Sequence, residues 1–231
     1  VRHMMTKTVT LTINGKSVTV PARYTVLEAA RQLNINIPTL CYCEKLGCGI
    51  GNKPASCRIC VVEVEKRRNL APACATPVME GMVVHTNSQR ALKARRTIVE
   101  LMLSDHPQDC LVCPKNRYCE LQKLAQEYKA DEDRFVYGGK NEKVALDTSS
   151  VSIIRDNSKC VLCRRCVATC AKIQEIGVIG ANNRGFDTYV GSAFGQALAD
   201  TSCINCGQCI VACPVGALYE RDDTDEVFEG L

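Results

Sequence analysis

No stretch of the 231-residue chain approaches the ~20 consecutive apolar residues that a membrane helix needs, so no membrane span is expected. Val1 to Thr10 contains no apolar run with a cleavage site, and no secretory signal is expected there. Val1 to Met4 reads as an expression scar ahead of a native start at Met4 or Met5, so residues 1–5 are set apart from the fold. The net charge of +4 is too small to argue for a nucleic-acid partner. No phosphate-cradling P-loop is present. Gly47-x-Gly49-x-Gly51 neither follows a strand pattern nor opens a helix, which excludes a dinucleotide fingerprint. Histidine is scarce, with three residues in all. Cysteine, by contrast, occurs 17 times. An odd count suits a disulfide framework poorly. Metal-bound thiolates in a reducing compartment account for it better, and a cytoplasmic location is expected. With 46% hydrophobic residues the chain can fill several small cores.

The cysteines fall into patterns. Cys160, Cys163, Cys166 and Cys170 repeat as Cys203, Cys206, Cys209 and Cys213, and Pro214 follows. C-x2-C-x2-C-x3-C written twice is the pattern of two 4Fe–4S clusters in a ferredoxin-like fold, here residues 151–220. A cubane offers four irons, each taking one thiolate. Three closely spaced cysteines wrap one side of it, and the fourth ligand comes from the other run. That assigns Cys160, Cys163, Cys166 and Cys213 to one cluster and Cys170, Cys203, Cys206 and Cys209 to the second. Val161, Leu162, Val167, Ile204, Ile210, Val211 and Val215 are expected to keep water from the sulfurs. A zinc-binding structural module is the alternative, but zinc favours pairs of C-x2-C.

Residues 6–86 read as a β-grasp 2Fe–2S domain. Val9, Leu11 and Ile13 alternate with polar residues, Asn14-Gly15 is a hairpin turn, and Ser17 to Val20 returns the chain. Thr25-Val26-Leu27-Glu28 is a capping box opening a helix to about Leu33. Val61 to Val64 and Met82 to His85 supply further strands. Of six cysteines here, Cys57 and Cys60 form the central pair, Cys74 the distal ligand and Cys41 the first. Cys43-x4-Cys48 imitates the start of a plant-type spacing, but Gly51 stands where the next cysteine is required, so Cys43 and Cys48 are read as free thiols.

Residues 87–150 read as a small helical domain. Asn87 or Ser88 caps a helix to about Ser104, with Leu92, Ile98, Val99, Leu101 and Met102 on or near its buried stripe. His106, Cys110, Cys113 and Cys119 follow. Three cysteines cannot complete a cubane, and His106 stands beside the incomplete set. It is therefore expected to ligate a third 4Fe–4S cluster and to raise its potential, as imidazole does in Rieske centres. Glu120 to Tyr128 reads as a short helix, followed by a polar connection to about Ser150. The basic groups Lys66-Arg67-Arg68, Arg90/Lys93/Arg95/Arg96 and Arg164-Arg165 are expected at the solvated surface, where they would offer a docking face, tested at Arg95 and Arg96, for acidic electron carriers or for a partner subunit.

The order of these motifs resembles the N-terminal region of FeFe-type hydrogenases, especially the catalytic subunit of multimeric, NAD(P)-linked and electron-bifurcating enzymes. The resemblance rests on Pro38-Thr39-Leu40-Cys41-Tyr42, on Cys57 to Val64, on Ser104-Asp105-His106-Pro107-Gln108-Asp109-Cys110, on Asn183 to Thr188 and on Cys203 to Leu218. The first half is also similar to complex I and to NAD-dependent formate dehydrogenases. The loop between Cys41 and Cys57 is enlarged relative to the family. The resemblance implies an α+β chain working as an electron relay. Its electrons would pass through the two ferredoxin clusters to the histidine-ligated cubane and the 2Fe–2S, in either direction. The implied partners are a flavin- and NAD(P)-binding subunit, a small 2Fe–2S subunit, ferredoxin, and an H-cluster domain that would follow the linker at 221–231. On this reading the chain alone turns over no hydrogen. The rival enzyme reading is the electron-input region of a formate dehydrogenase.

Overall fold

The computed structural model describes residues 7–43, 55–131, 134–135 and 145–231. Cys48, the Gly47–Gly51 motif and the proposed scar lie outside the described residues.

The N-terminal part is a mixed five-stranded sheet, ordered β2-β1-β5-β3-β4, with one helix against it. β1 (Thr8–Ile13) and β2 (Lys16–Pro21) pair antiparallel in the register Thr8 to Pro21 through Ile13 to Lys16. The turn between them needs left-handed backbone at both central residues. Asn14 and Gly15 supply it, at φ 48° and 79°. β5 (Val83–His85) pairs parallel to β1 and antiparallel to β3 (Val61–Val64), and β4 (Ala71–Pro72) completes the edge. Val9, Leu11 and Ile13 turn inward onto α1 (Val26–Gln32), and burying each such side chain contributes ~1.5–3 kcal/mol. The capping box forms as the sequence indicates: the Glu28 amide donates to the Thr25 hydroxyl, and the Thr25 amide donates to the Glu28 carboxylate at 2.6 Å.

The middle part is a pair of helices, α2 (Gln89–Leu103), capped by the Ser88 side chain, and α3 (Glu120–Tyr128). The buried face of α2 differs from the expected stripe. Val99 is buried, and Ile98 and Met102 are half-buried, but Leu92 and Leu101 are exposed. Two charged residues take the inward positions. Arg95 is 1% exposed and Glu100 is fully buried. Arg95 Nε and Nη2 donate to the Val61 carbonyl (3.2 and 2.8 Å), and Nη2 also donates to the Thr86 carbonyl (2.7 Å). The guanidinium therefore ties α2 to β3 and to the end of β5, and Arg95 is not part of a docking face. Arg96, though half exposed, is engaged with Glu100 at 2.8 Å.

The C-terminal part has the symmetry of its sequence repeat. β6 (Ile153–Arg155) pairs antiparallel with β9 (Leu218–Glu220) across its two ends. Each cysteine run leads into a short helix, α4 (Arg165–Ala168), which continues as a wider turn over Thr169–Ile173, and α5 (Gln208–Ala212). Between the repeats stands a hairpin, β7 (Ile179–Asn182) and β8 (Tyr189–Ser192). α6 (Thr224–Glu229) lies in the stretch read as a linker. Within residues 145–150, Asp147 and Ser150 anchor an otherwise exposed stretch. Ser150 is 2% exposed, and its hydroxyl meets the Asn205 side chain at 2.7 Å.

Leu40 and Ile59, which flank the cysteine loops of the first part, do not join its core. They pack with Val99, Leu121, Cys166 and Cys213 in the second core. The cysteine loops of the β-grasp part are thereby pressed against the other two.

Candidate metal centres

In the β-grasp part, Cys41, Cys60 and Cys74 are buried and Cys57 is half-buried. Cys60 Sγ and Cys74 Sγ are 3.3 Å apart, the Cys41 amide donates to Cys57 Sγ (3.4 Å), and the Ala55 amide donates to Cys74 Sγ (3.2 Å). Hydrogen bonds from the Cys57 and Cys74 thiols favour the Cys41 thiolate in spite of burial. The same contact with Cys41, together with burial, pushes Cys57 and Cys74 up. Such a knot of thiols cannot ionise as a set without an added cation, which is what a metal brings. Cys43 lies at the edge and is half-buried.

In the middle part, His106, Cys110 and Cys119 share the wall of a cavity of about 420 Å³. Burial holds the His106 pKa below its ordinary value, reinforced by Lys159 and opposed by Asp109 and Asp156. The neutral imidazole favoured in this way is the ligating form. Cys113 lies under the loop after Cys213. A Cβ added at Gly216 would stand 2.6 Å from Cys113 Sγ, so any side chain there would force Cys113 to shift. The Glu120 amide donates to the Pro214 carbonyl at 2.9 Å, closing the same junction.

In the C-terminal part, one cavity is lined by Cys160, Cys163, Cys166 and Cys213, and the other by Cys170, Cys203, Cys206 and Cys209. Each cavity is thus lined by three cysteines of one run and one of the other. Left-handed backbone recurs at matching places in the two runs, Leu162 (φ 54°) with Asn205 (φ 53°) and Arg164 (φ 61°) with Gly207 (φ 69°). For non-glycine residues this costs ~1–2 kcal/mol each. It turns successive amides inward, the arrangement by which backbone concavities hold anions and iron–sulfur groups. Burial raises Cys160 to about 11, Cys163 to about 12 and Cys209 to about 11, while the amides of Leu162, Arg165 and Ile210 pull the other way. Soft thiols, inward amides and a fold that crosses the runs suit an anionic iron–sulfur group. Of the aliphatic residues expected to shield the sulfurs, Ile210 and Val215 are buried. Val211 (72% exposed) lines neither cavity, whereas Ile204, although 64% exposed, lines the Cys170/Cys203/Cys206/Cys209 cavity as expected.

Sequence reasoning missed a clamp between the three parts. Arg165, expected at the surface, is 4% exposed. Its Nη1 and Nη2 donate to the two Glu120 carboxylate oxygens (2.7 and 2.8 Å), and Nη2 also donates to the Tyr42 carbonyl (3.3 Å). Tyr42 follows Cys41, Glu120 follows Cys119, and Arg165 precedes Cys166, so one guanidinium joins three cysteine-bearing segments. The only sequence signal was the placing of charges beside cysteines. Gly216 and Arg155, which borders both C-terminal cavities, gave no signal of their own.

Three family models match successive stretches. The 2Fe-2S iron-sulfur cluster binding domain covers residues 6–89. The NADH-ubiquinone oxidoreductase-G iron-sulfur binding region covers 95–134. The ferredoxin-like domain of NADH-quinone oxidoreductase subunit 3 covers 150–219. Among curated proteins, the NADP-reducing hydrogenase subunit HndD of Solidesulfovibrio fructosivorans is 54% identical over 222 residues, which is 96% of this chain and 38% of that protein. The mitochondrial NADH-ubiquinone oxidoreductase 78 kDa subunit of Candida albicans is 36% identical over 92% of this chain and 28% of its own length. The chain therefore spans well under half of these relatives. A chain in the crystal structure of an NAD+-reducing [NiFe]-hydrogenase in the H2-reduced state superposes with a TM-score of 0.80 at 28% identity, covering 92% of this chain and 87% of that one.

Proposed function

We propose that this chain, which is an iron–sulfur region related to those of NADP-reducing hydrogenase and NADH-ubiquinone oxidoreductase and carries 2Fe–2S and 4Fe–4S domains of electron transport, works as a four-centre electron relay. Cys41, Cys57, Cys60 and Cys74 would hold a 2Fe–2S group. His106, Cys110, Cys113 and Cys119 would hold one cubane. The sets Cys160/Cys163/Cys166/Cys213 and Cys170/Cys203/Cys206/Cys209 would hold two more. When bound, these groups accept and release single electrons. The observation that carries the reading is the division of the eight repeat cysteines into two cavities, each with the crossed set of four.

The protein's own part is to hold, space and shield. Arg165 fixes three ligand segments against one another, and Gly216 lets the His106 site approach the Cys213 loop. Leu40 and Ile59 exclude water between the first part and the rest. No side chain is needed as a general acid or nucleophile. The parent activity proposed is that of an iron (FeFe) hydrogenase, NAD(P)- or ferredoxin-linked, with flavin- and NAD(P)-binding and small 2Fe–2S subunits as partners. The identity to the NADP-reducing hydrogenase protein supports it. The exposed Val227 and Phe228 on α6 suit a face covered by an adjoining domain. No helix among the described residues is long and apolar enough to cross a membrane, and a cytoplasmic site of action fits the thiol-rich chain.

The test is to express the chain with its native adjoining sequence and partner subunits and to ask what reduces its paramagnetic centres under anaerobic conditions. Reduction by hydrogen supports the reading. Reduction by formate and not by hydrogen would replace it with the formate dehydrogenase alternative.

A further inference from the structure

The ferredoxin-like part contains buried polar groups that ligation leaves unused. Arg155 on β6 is 5% exposed and lines both cysteine cavities. Its guanidinium is held from behind. Nη2 donates to Asp147 Oδ2 at 2.9 Å and Nη1 donates to Ser192 Oγ at 3.4 Å. The backbones of Arg155 and Asp147 exchange two hydrogen bonds of 3.0 Å. Asp147 is itself pinned, accepting from the Ser149 amide (3.1 Å), the Ser149 hydroxyl (2.6 Å) and the Leu198 amide (3.0 Å). β8 closes the remaining side, where a Cβ on Gly191 would stand 3.1 Å from Nη1. The guanidinium therefore cannot turn away from the cavities, and Asp147, which lines neither, stands behind it.

Two donors are left over. Arg155 Nε and Asn157 Nδ2 are buried and have no hydrogen-bond partner among the described residues. Asn157 is 4% exposed and lines the Cys160/Cys163/Cys166/Cys213 cavity beside Arg155. The rest of that wall is cysteine and aliphatic side chains, with Arg164 at its exposed edge. An unmatched buried donor costs ~1–3 kcal/mol, and native proteins seldom leave two side by side. Hydrogen bonds to cluster sulfurs and nearby fixed charge are among the levers that set a cluster's potential.

We propose that Arg155 and Asn157 are positioning and tuning residues of the paired ferredoxin sites. Arg155 Nε and Asn157 Nδ2 donate to sulfur of the group held by Cys160, Cys163, Cys166 and Cys213. The fixed guanidinium charge between the two cavities makes adding an electron easier in both. The inference rests on the relay reading above and deepens it. A plain structural ion pair between Arg155 and Asp147 would explain the burial but would leave the potentials alone.

The test is an EPR-monitored redox titration of the full chain after anaerobic reconstitution, with iron counted first. A wild type that fails to load iron counts against the relay reading, and the titration is read only on loaded protein. Arg155→Gln is expected to shift the reduction equilibrium of both ferredoxin-type centres about tenfold against reduction, which is about 59 mV for one electron. Arg155→Lys should retain most of the wild-type potential, and the 2Fe–2S centre should not move. Asn157→Leu should shift only the Cys160/Cys163/Cys166/Cys213 centre. Unmoved potentials in fully loaded Arg155→Gln, or an equal shift in the 2Fe–2S centre, would overturn the inference. Should Arg155→Gln not load, Asn157→Leu decides in the same way, since an unchanged potential there overturns it too.

Discussion

Replacing Arg95 by methionine separates two readings of the same residue. As a surface cation in a docking face, Arg95 would matter to the salt dependence of electron transfer and little to stability. The fold puts it at 1% exposure, bonded to the carbonyls of Val61 and Thr86 and in reach of Asn87 and the Tyr128 hydroxyl at 3.4 Å each. Methionine keeps most of the stem and removes every donor. Two buried carbonyls then lose their partners, at ~1–3 kcal/mol each. Some of that is returned, because a buried charge no longer has to be desolvated. The net loss is about 2–4 kcal/mol. With a urea slope of ~1–3 kcal/mol per molar, the unfolding midpoint should fall by about 1 M or more. The assay is far-UV circular dichroism in urea, beside electron transfer to an acidic carrier at several ionic strengths. Arg67→Met, at an exposed position, is the control and should leave the midpoint within ~0.5 kcal/mol. An unchanged midpoint for Arg95→Met with a flattened salt slope would refute the burial argument and restore the docking face.

Other expectations follow from the same geometry. Gly216→Ala brings a methyl to 2.6 Å from Cys113 Sγ and should cost the chain the His106 centre, seen as missing iron and one missing EPR signal, with the 2Fe–2S signal kept. His106→Cys should lower the potential of that centre in a redox titration, because a thiolate adds negative charge that a neutral imidazole does not. Burial pushes the Glu100 carboxyl up, but hydrogen bonds from Arg96 and Arg134 outweigh it and hold it below the usual range. A carboxylate depressed in the folded state stabilises above its unfolded pKa of ~4.3 and loses that contribution as pH falls through the lower folded value. Both arginines are about half exposed to solvent, so Glu100→Gln should cost only ~1–2 kcal/mol at neutral pH. The gap to wild type should narrow progressively as pH falls below the unfolded value of ~4.3, read from urea midpoints across that range.

Much of the arrangement was legible because iron–sulfur ligation writes itself into spacing. Cys160 to Cys170 and Cys203 to Cys213 state their pattern locally, and each of two cavities is lined by three cysteines of one run and one of the other. The β-grasp elements were legible for equally local reasons: Asn14-Gly15 specifies its turn, and Thr25 with Glu28 specifies a helix start. What escaped were the buried contacts of three arginines. Arg95, Arg155 and Arg165 look like surface cations in sequence, yet each is buried on carbonyls or carboxylates 8 to 123 residues away. The stripe of α2 was misread for the same reason. Arg95 and Glu100 take the inward positions on paired polar groups, and Leu92 and Leu101 are left exposed.

The central claim is that four ligand sets hold four iron–sulfur groups in one chain. Anaerobic iron and acid-labile sulfide counting, with EPR during a reductive titration, tests it most directly. The account predicts a brown protein with about 14 irons per chain, nearly equal sulfide, and one 2Fe–2S signal beside three cubane signals. A colourless chain with stoichiometric zinc, or a fully reconstituted chain short of iron by one whole cubane, would contradict it.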